Sequence, residues 1–470
     1  MESSADRHAD PRRHAVLACF CFHSFIQCFS FMDFSTDSEL TYASLGMGTM
    51  HDVQLLEGLL YSGGFAATLP AMWASLWLLL RGYDWTAGFL MSLLIVAGAW
   101  LRLVAVVSTS YALALTSTIL LGAAGGVIFT SFTFVPARWF PPNERPLATA
   151  LAVQSNYAGW ALGCLNVPMF GVPTNYTAPD GNTTAAQKSV NGLTHFLWIV
   201  AFLTTMALPV HILVNRRRPR VVVVTTNEPI PEGLSFCQTV TLLARRRQYI
   251  IHSACYATLG AVGYAVTGVV DPCFSAALKG TDSFDHMQTM YLNVVFVASG
   301  VMAGLLIGRL VPDRPAAQSV AVRSLFVLAA IALLGIQVLL FAATSLDKDV
   351  LFALSLCCMC AAGVGTLGFI GVGLRVAVRA SAPAEEIYAG SIIEFFLLAI
   401  AAALGLLTYV VSAEYTFWFF ALPACASAVA VCTMARFETT SSALTTHDDQ
   451  RLSETDSPFL EEAVTSTKHV

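Results

Sequence analysis

The sequence predicts an all-α integral membrane protein with twelve transmembrane helices in two six-helix halves. Three observations carry this. Of 470 residues, 56% are hydrophobic and only 12% are charged, too little charge to wet the surface of a chain this size, so lipid is its solvent. Apolar runs of about 20 residues, the length that crosses a bilayer, recur near 14–34, 53–80, 87–107, 111–135, 147–170, 193–214, 249–276, 287–311, 320–343, 350–373, 384–410 and 413–435. With both termini in the cytoplasm, 21 of the 25 Lys and Arg residues lie inside; Lys188, Lys279 and Lys348 lie outside and Arg102 lies within a span. That bias follows the positive-inside rule.

The chain divides accordingly. Residues 1–13 form a polar cytoplasmic tail running straight into a full-length span, which reads as a retained anchor. Residues 14–214 form the first half, 215–248 a basic linker holding "NRRRPR" and "ARRRQY", and 249–435 the second half. The tail, 436–470, is Ser/Thr-rich with seven carboxylates against three basic residues, and is expected to be disordered. Two glycosylation sequons, at Asn175 and Asn182, share one loop that this topology puts outside. The 12 cysteines lie mostly in apolar stretches and read as small buried hydrophobes. No metal, cofactor or nucleic-acid partner is expected, and the chain is expected to be a monomer whose partners are the bilayer and a small-molecule substrate. No soluble domain or assembled nucleophile, base and metal set points to an enzyme.

Polar residues inside spans are the informative ones, because hydrocarbon penalises them. Glu394 is about ten residues into span 11, where a carboxylate costs roughly 2.5–3.5 kcal/mol on insertion scales. It is the leading candidate to bind a cation or carry a proton; the alternative is an internal partner such as Arg102. Tyr264 and Asp271 stand seven apart in span 7 and share a helical face with Gly260 and Gly268, which would leave room around the ring. Asp271 is a second candidate for charge coupling, or simply ends the helix. Span 5 carries Gln154, Ser155, Asn156 and Tyr157 in a row, and span 1 aligns His23, Gln27 and Ser30 beside Phe31. Span 10 contains "GVGTLG", which matches a dinucleotide fingerprint but lacks the strand that motif requires, so glycine-mediated helix packing is the better reading.

Two sets of six spans around a long basic loop resemble the plan of major facilitator transporters, whose substrates bind near mid-membrane between the halves. Equivalent loops repeat their charges: "LLRGYDW" with "GRLVPDR", and "PARWFPPNERP" with "LRVAVRASAPAEE". In such folds Arg138, Arg145, Asp313, Arg314 and Glu385 would form a cytoplasmic latch, Asp313 with Arg314 foremost; the alternative is plain positive-inside anchoring.

Within that superfamily, "GAWLR", "ARWFPPNER…ATALAVQSNYAGWALG", "YATLGAVGYAVTGVV" and "PAEEIYAG" resemble the feline leukaemia virus subgroup C receptor-related transporters. The "GVVD" and "WFPPNER" stretches are nearer the disrupted-in-renal-carcinoma branch. The resemblance implies a transporter of choline- or ethanolamine-type cations or haem, with pyridoxine-type vitamins as the alternative. In choline-carrying members rings from spans 1 and 7 cage the ammonium. The resemblance puts Tyr264 at the span 7 ring and Phe31 at the span 1 ring, with Tyr157 in place of a span 5 glutamine. Substrate binding is therefore expected from Tyr264, Phe31, Tyr157, Gln154, Asn156 and Glu394, and the plasma membrane is expected over an endolysosomal one. A reading of another class is a non-transporting receptor or scaffold, against which the costly Glu394 argues.

Overall fold

The computed structural model describes residues 10–34, 41, 44–47, 53–164, 183–215, 236–278, 284, 286–312, 314–382, 384–411 and 415–437. Asn175, Asn182 and Asp313, and with them both sequons and half of the foremost latch pair, lie outside the described residues. Before the linker come α1 (Arg13–Phe31), α2 (Val53–Leu80), α3 (Asp84–Val107), α4 (Tyr111–Trp139), α5 (Arg145–Gly163), α6 (Thr183–Thr205) and α7 (Ala207–Val214). A short helix, α8 (Phe236–Arg245), leads into α9 (Arg247–Val266) and α10 (Val270–Ala277). The chain continues through α11 (His286–Leu310), α12 (Pro315–Ala342), α13 (Lys348–Thr366), α14 (Ile370–Ala380), α15 (Glu386–Val410) and α16 (Trp418–Thr433).

Among the described residues, 9 helical stretches are long and apolar enough to cross a membrane. The other three expected spans correspond to α5, diluted by its Gln-Ser-Asn-Tyr run, to α9 with α10, and to the 16-residue α16. Three expected spans are also broken: the sixth at Met206, the seventh at 267–269 and the tenth at 367–369.

Glycines set the closest helix contacts. A Cβ on Gly122 of α4 would run into the Gly64 carbonyl of α2, one on Gly159 of α5 into the Phe25 carbonyl of α1, and one on Gly363 of α13 into the Phe296 carbonyl of α11. Small residues at helix crossings are the usual means of close approach in lipid, where dispersion replaces the hydrophobic drive. The "GVGTLG" run is thus a packing surface: Gly363 meets α11 and Gly365 meets the Ala329 backbone of α12. Helices before the linker pack on those after it chiefly where α15 lies against α2 and α4 and where α5 lies against α11. Trp73, Trp77 and Trp85 are exposed, and the Arg81 guanidinium sits 4.2 Å from the Trp77 ring centroid, an arrangement suited to a membrane interface.

Candidate functional site

The α2, α4, α5 and α9 helices converge on Tyr264. Its ring stacks on Trp160 (centroids 5.1 Å apart, planes at 23°) and stands 5.6 Å from both Tyr157 and Phe65 and 6.2 Å from Phe129. Tyr264 is 2% exposed. Its hydroxyl makes no hydrogen bond of normal geometry, although the Tyr157 phenol is close enough to interact with it. Phe31 does not reach Tyr264 directly: Phe65 stands between them, 5.5 Å from Phe31. The flanking glycines do not leave room around the ring. A Cβ on Gly260 would meet Leu397 of α15, and one on Gly268 would rest 3.7 Å from Tyr61. Tyr264 and Asp271 do not stand on one continuous helix, because the break at 267–269 separates α9 from α10. The Asp271 side chain is outside the described part.

Glu394 is 1% exposed on α15 and accepts a 2.6 Å hydrogen bond from the Tyr256 hydroxyl of α9. Tyr157 and Tyr264 also lie within its electrostatic reach. Arg102 is not its partner. That guanidinium donates to the Ser30 and Phe31 carbonyls at the end of α1 and to the Ser117 and Thr118 hydroxyls of α4, and lies 4.5 Å from the Phe34 ring centroid. A cation on the carbonyls of a helix C-terminus satisfies orphan acceptors and complements the dipole.

The break in span 7 is capped in a similar way, by a side chain from another helix. The Tyr61 hydroxyl of α2 donates to the Tyr264 carbonyl at 2.5 Å. In span 10, the Gln154 amide of α5 donates to the Leu367 carbonyl at 3.2 Å. Gln154 reaches that carbonyl through a slot at Gly304 of α11, where a Cβ would strike the amide. Its own carbonyl oxygen is buried without a partner. Asn156 is committed elsewhere: its amide donates to the Ser24 carbonyl and the Gln27 side chain, and Gln27 donates to the Leu121 carbonyl, knitting α1, α4 and α5 together. Gln154 is thus a tie between α5 and the C-terminal helices, and Asn156 a tie within the N-terminal ones. Gly304→Ala is expected to release the Gln154 tie as fully as Gln154→Ala does. In a double-mutant cycle on thermal stability the two effects would then fail to add by at least about 0.5 kcal/mol; strict additivity would refute the tie.

At the Arg-rich end of the helices, Arg145 pairs with Glu386 at 2.9 Å, one residue beyond the expected Glu385, which precedes α15 and is exposed. Arg13 pairs with Glu144 at 2.9 Å. Arg138 is exposed at the end of α4, and Arg314 is exposed at the start of α12. Of the expected latch charges, only Arg145 is found bonded from the N-terminal helices to the C-terminal ones among the described residues.

Trp160, Phe65, Phe129, Tyr61 and Tyr256 were not picked out by sequence reasoning. Tyr256 had a signal: with Gly260 and Tyr264 it recurs every four residues, so it shares their helix face. The others are rings in apolar helices, indistinguishable from packing until the helices are assembled.

No family model matches the chain. It is 23% identical over 303 residues to the choline/ethanolamine transporter FLVCR1 of Felis catus, covering 63% of this chain and 51% of that protein. It is 30% identical over 125 residues, 25% of the chain, to the solute carrier family 49 member 4 homolog of Xenopus laevis, and covers 27% of that protein. The aligned part thus spans about half the length of the FLVCR1 relative. Among solved structures, the D-xylose-proton symporter matches with a TM-score of 0.62 at 12% identity, covering 91% of this chain and 99% of that one. The major facilitator transporter FucP in its outward conformation matches at 0.58 and 15%, covering 90% and 99%. These similarities agree with the helical architecture of the described residues: the chain is an integral membrane protein with the fold of these solved transporters, similar in sequence over part of its length to FLVCR1.

Proposed function

We propose that the protein is a twelve-span transporter in which two six-helix halves, 14–214 and 249–435, move a small organic cation by alternating access. The observation that carries this is Glu394: a carboxylate 1% exposed, bonded to a tyrosine hydroxyl and to no basic side chain among the described residues, beside a cluster of aromatic rings. A positive solute supplies the missing charge, and ring faces attract ammonium groups by up to about 2 kcal/mol when desolvated. Tyr264, Trp160 and Tyr157 would form the ring wall, Phe31 and Phe65 its backing, and Glu394 the counter-ion. The similarity to a choline/ethanolamine transporter favours choline- and ethanolamine-type cations as the solutes. Arg145 with Glu386 would latch the cytoplasmic end in one state and part in the other.

Haem fits less well. The His23 ring nitrogens are engaged by Cys19, Ser92 and Ala207, and Nε2 of His252 by the Arg436 carbonyl. The reading places the protein in the plasma membrane as a monomer, with glycans at Asn175 and Asn182.

The test is thermal stabilisation of the purified protein by choline, ethanolamine, pyridoxine and haem. A true ligand at 100 times its dissociation constant stabilises by about 2.7 kcal/mol. Stabilisation by choline or ethanolamine is the expected result; stabilisation by haem alone would overturn the assignment.

A further inference from the structure

We infer that Glu394 is a single seat shared by the organic cation and a proton, so that the protein exchanges one for the other across the membrane. This rests on the transport reading above and specifies its coupling.

The first ground is occupancy. Glu394 accepts one hydrogen bond, from Tyr256. The titratable groups that face it are phenols: Tyr256 and Tyr264 on α9 and Tyr157 on α5. From α2, Tyr61 meets α15 at Gly405, three turns further on, and from α4 the uncharged Thr133 meets it at Gly390. The α14 helix carries Arg375 and Arg379, the second held by the Gln318 side chain at 2.8 Å, and Glu394 is bonded to neither. No protein cation therefore neutralises the carboxylate among the described residues.

The second ground is number. Within the membrane-spanning helices, Glu394 is the one fully buried acid among the described residues. Symport of a cation with a proton needs a second protonatable seat beside this one; the described groups facing Glu394 are phenols, and the side chain of Asp271 is outside the described residues. One carboxylate cannot hold a proton and a counter-cation together, because the proton removes the charge the cation requires. Occupancy is thus exclusive.

The third ground is the empty carrier. Moving a bare carboxylate through a closed, dry intermediate carries a cost of roughly 2.5–3.5 kcal/mol on insertion scales. A proton or a cation cancels that cost, so both loaded forms cross and the bare form is held back. On one side the cation displaces the proton to water; on the other a proton displaces the cation. One positive charge moves each way, and the cycle is electroneutral for a monovalent substrate. The Tyr256 hydroxyl can serve both states, donating to the carboxylate or accepting from the carboxylic acid.

The test uses the full chain in proteoliposomes, with labelled choline and ethanolamine as probes, the membrane potential clamped and protein-free vesicles subtracted. With the lumen one pH unit more acidic than the bath, the internal probe should rise toward a limit of about tenfold over the bath, and the lumen should become more alkaline as it does. Glu394→Gln, checked for intact folding by gel filtration and thermal melting, should lose both gradient-driven accumulation and the matching pH change; a Gln variant that still accumulates the probe in response to the pH gradient overturns the shared seat. Accumulation that ignores the gradient, or that follows an inward-directed proton gradient, overturns exchange and leaves the transport reading standing. Failure of both probes to move under any gradient overturns the transport reading, and this inference with it.

Discussion

Tyr264→Ala is expected to weaken substrate binding about thirtyfold and to destabilise the fold, whereas Tyr264→Phe should preserve most of both. The ring of Tyr264 is the hub of the aromatic cluster, touching Trp160, Tyr157, Phe65 and Phe129. Truncating a buried aromatic to alanine costs about 3–5 kcal/mol through lost contact and the cavity left behind. If the ring face also binds a desolvated cation at about 2 kcal/mol, affinity should fall about thirtyfold. The hydroxyl contributes little to stability, since it makes no normal hydrogen bond, so phenylalanine should melt within about 1 kcal/mol of the parent. Thermal melts with and without choline or ethanolamine separate the two effects. An alanine variant that binds as well as the parent would remove Tyr264 from the site.

The second large effect is structural. Gly159→Ala should reduce the folded yield severely, and Gly268→Ala should be tolerated. A methyl at 159 points into the Phe25 backbone carbonyl of α1, which has no rotamer to retreat into, whereas one at 268 would meet nothing closer than 3.7 Å. Overpacking of this kind costs about 3 kcal/mol or more. Monodisperse protein recovered after detergent extraction reads the difference. Equal yields from the two variants would show that the α1 and α5 contact is slack.

Much of the architecture was legible in the sequence, because lipid makes simple demands. Apolar runs, segregated arginines and a basic linker needed no neighbours to be read. Glu394 was legible for the same reason, since one acid in an apolar helix is anomalous wherever the helix goes. The partner of Glu394 was less so. Arg102 was the natural guess by charge, yet it is spent on the end of α1, and the bond comes from Tyr256, an uncharged phenol whose role depends on how α9 faces α15. Helix breaks were missed because hydropathy measures composition and is blind to continuity. The stretch around 267–269 is as apolar as its surroundings, and its interruption shows only in the backbone and in the Tyr61 hydroxyl that caps it. Gln154 illustrates the remaining limit. Its polarity was visible, but its reach to Leu367 depends on Gly304, 150 positions further along the chain, having no side chain.

Arg102 also links segments made far apart in the chain. The α1 helix leaves the ribosome with the Ser30 and Phe31 carbonyls unbonded, and the guanidinium that receives them is made 71 and 72 positions later. The hydroxyls of Ser117 and Thr118 that also accept from it come 15 and 16 positions after that. Released singly into lipid, α1 would carry open acceptors and α3 a bare cation, each costing several kcal/mol. The bonds that satisfy the end of α1 and the Arg102 guanidinium therefore form only when α1, α3 and α4 are assembled together.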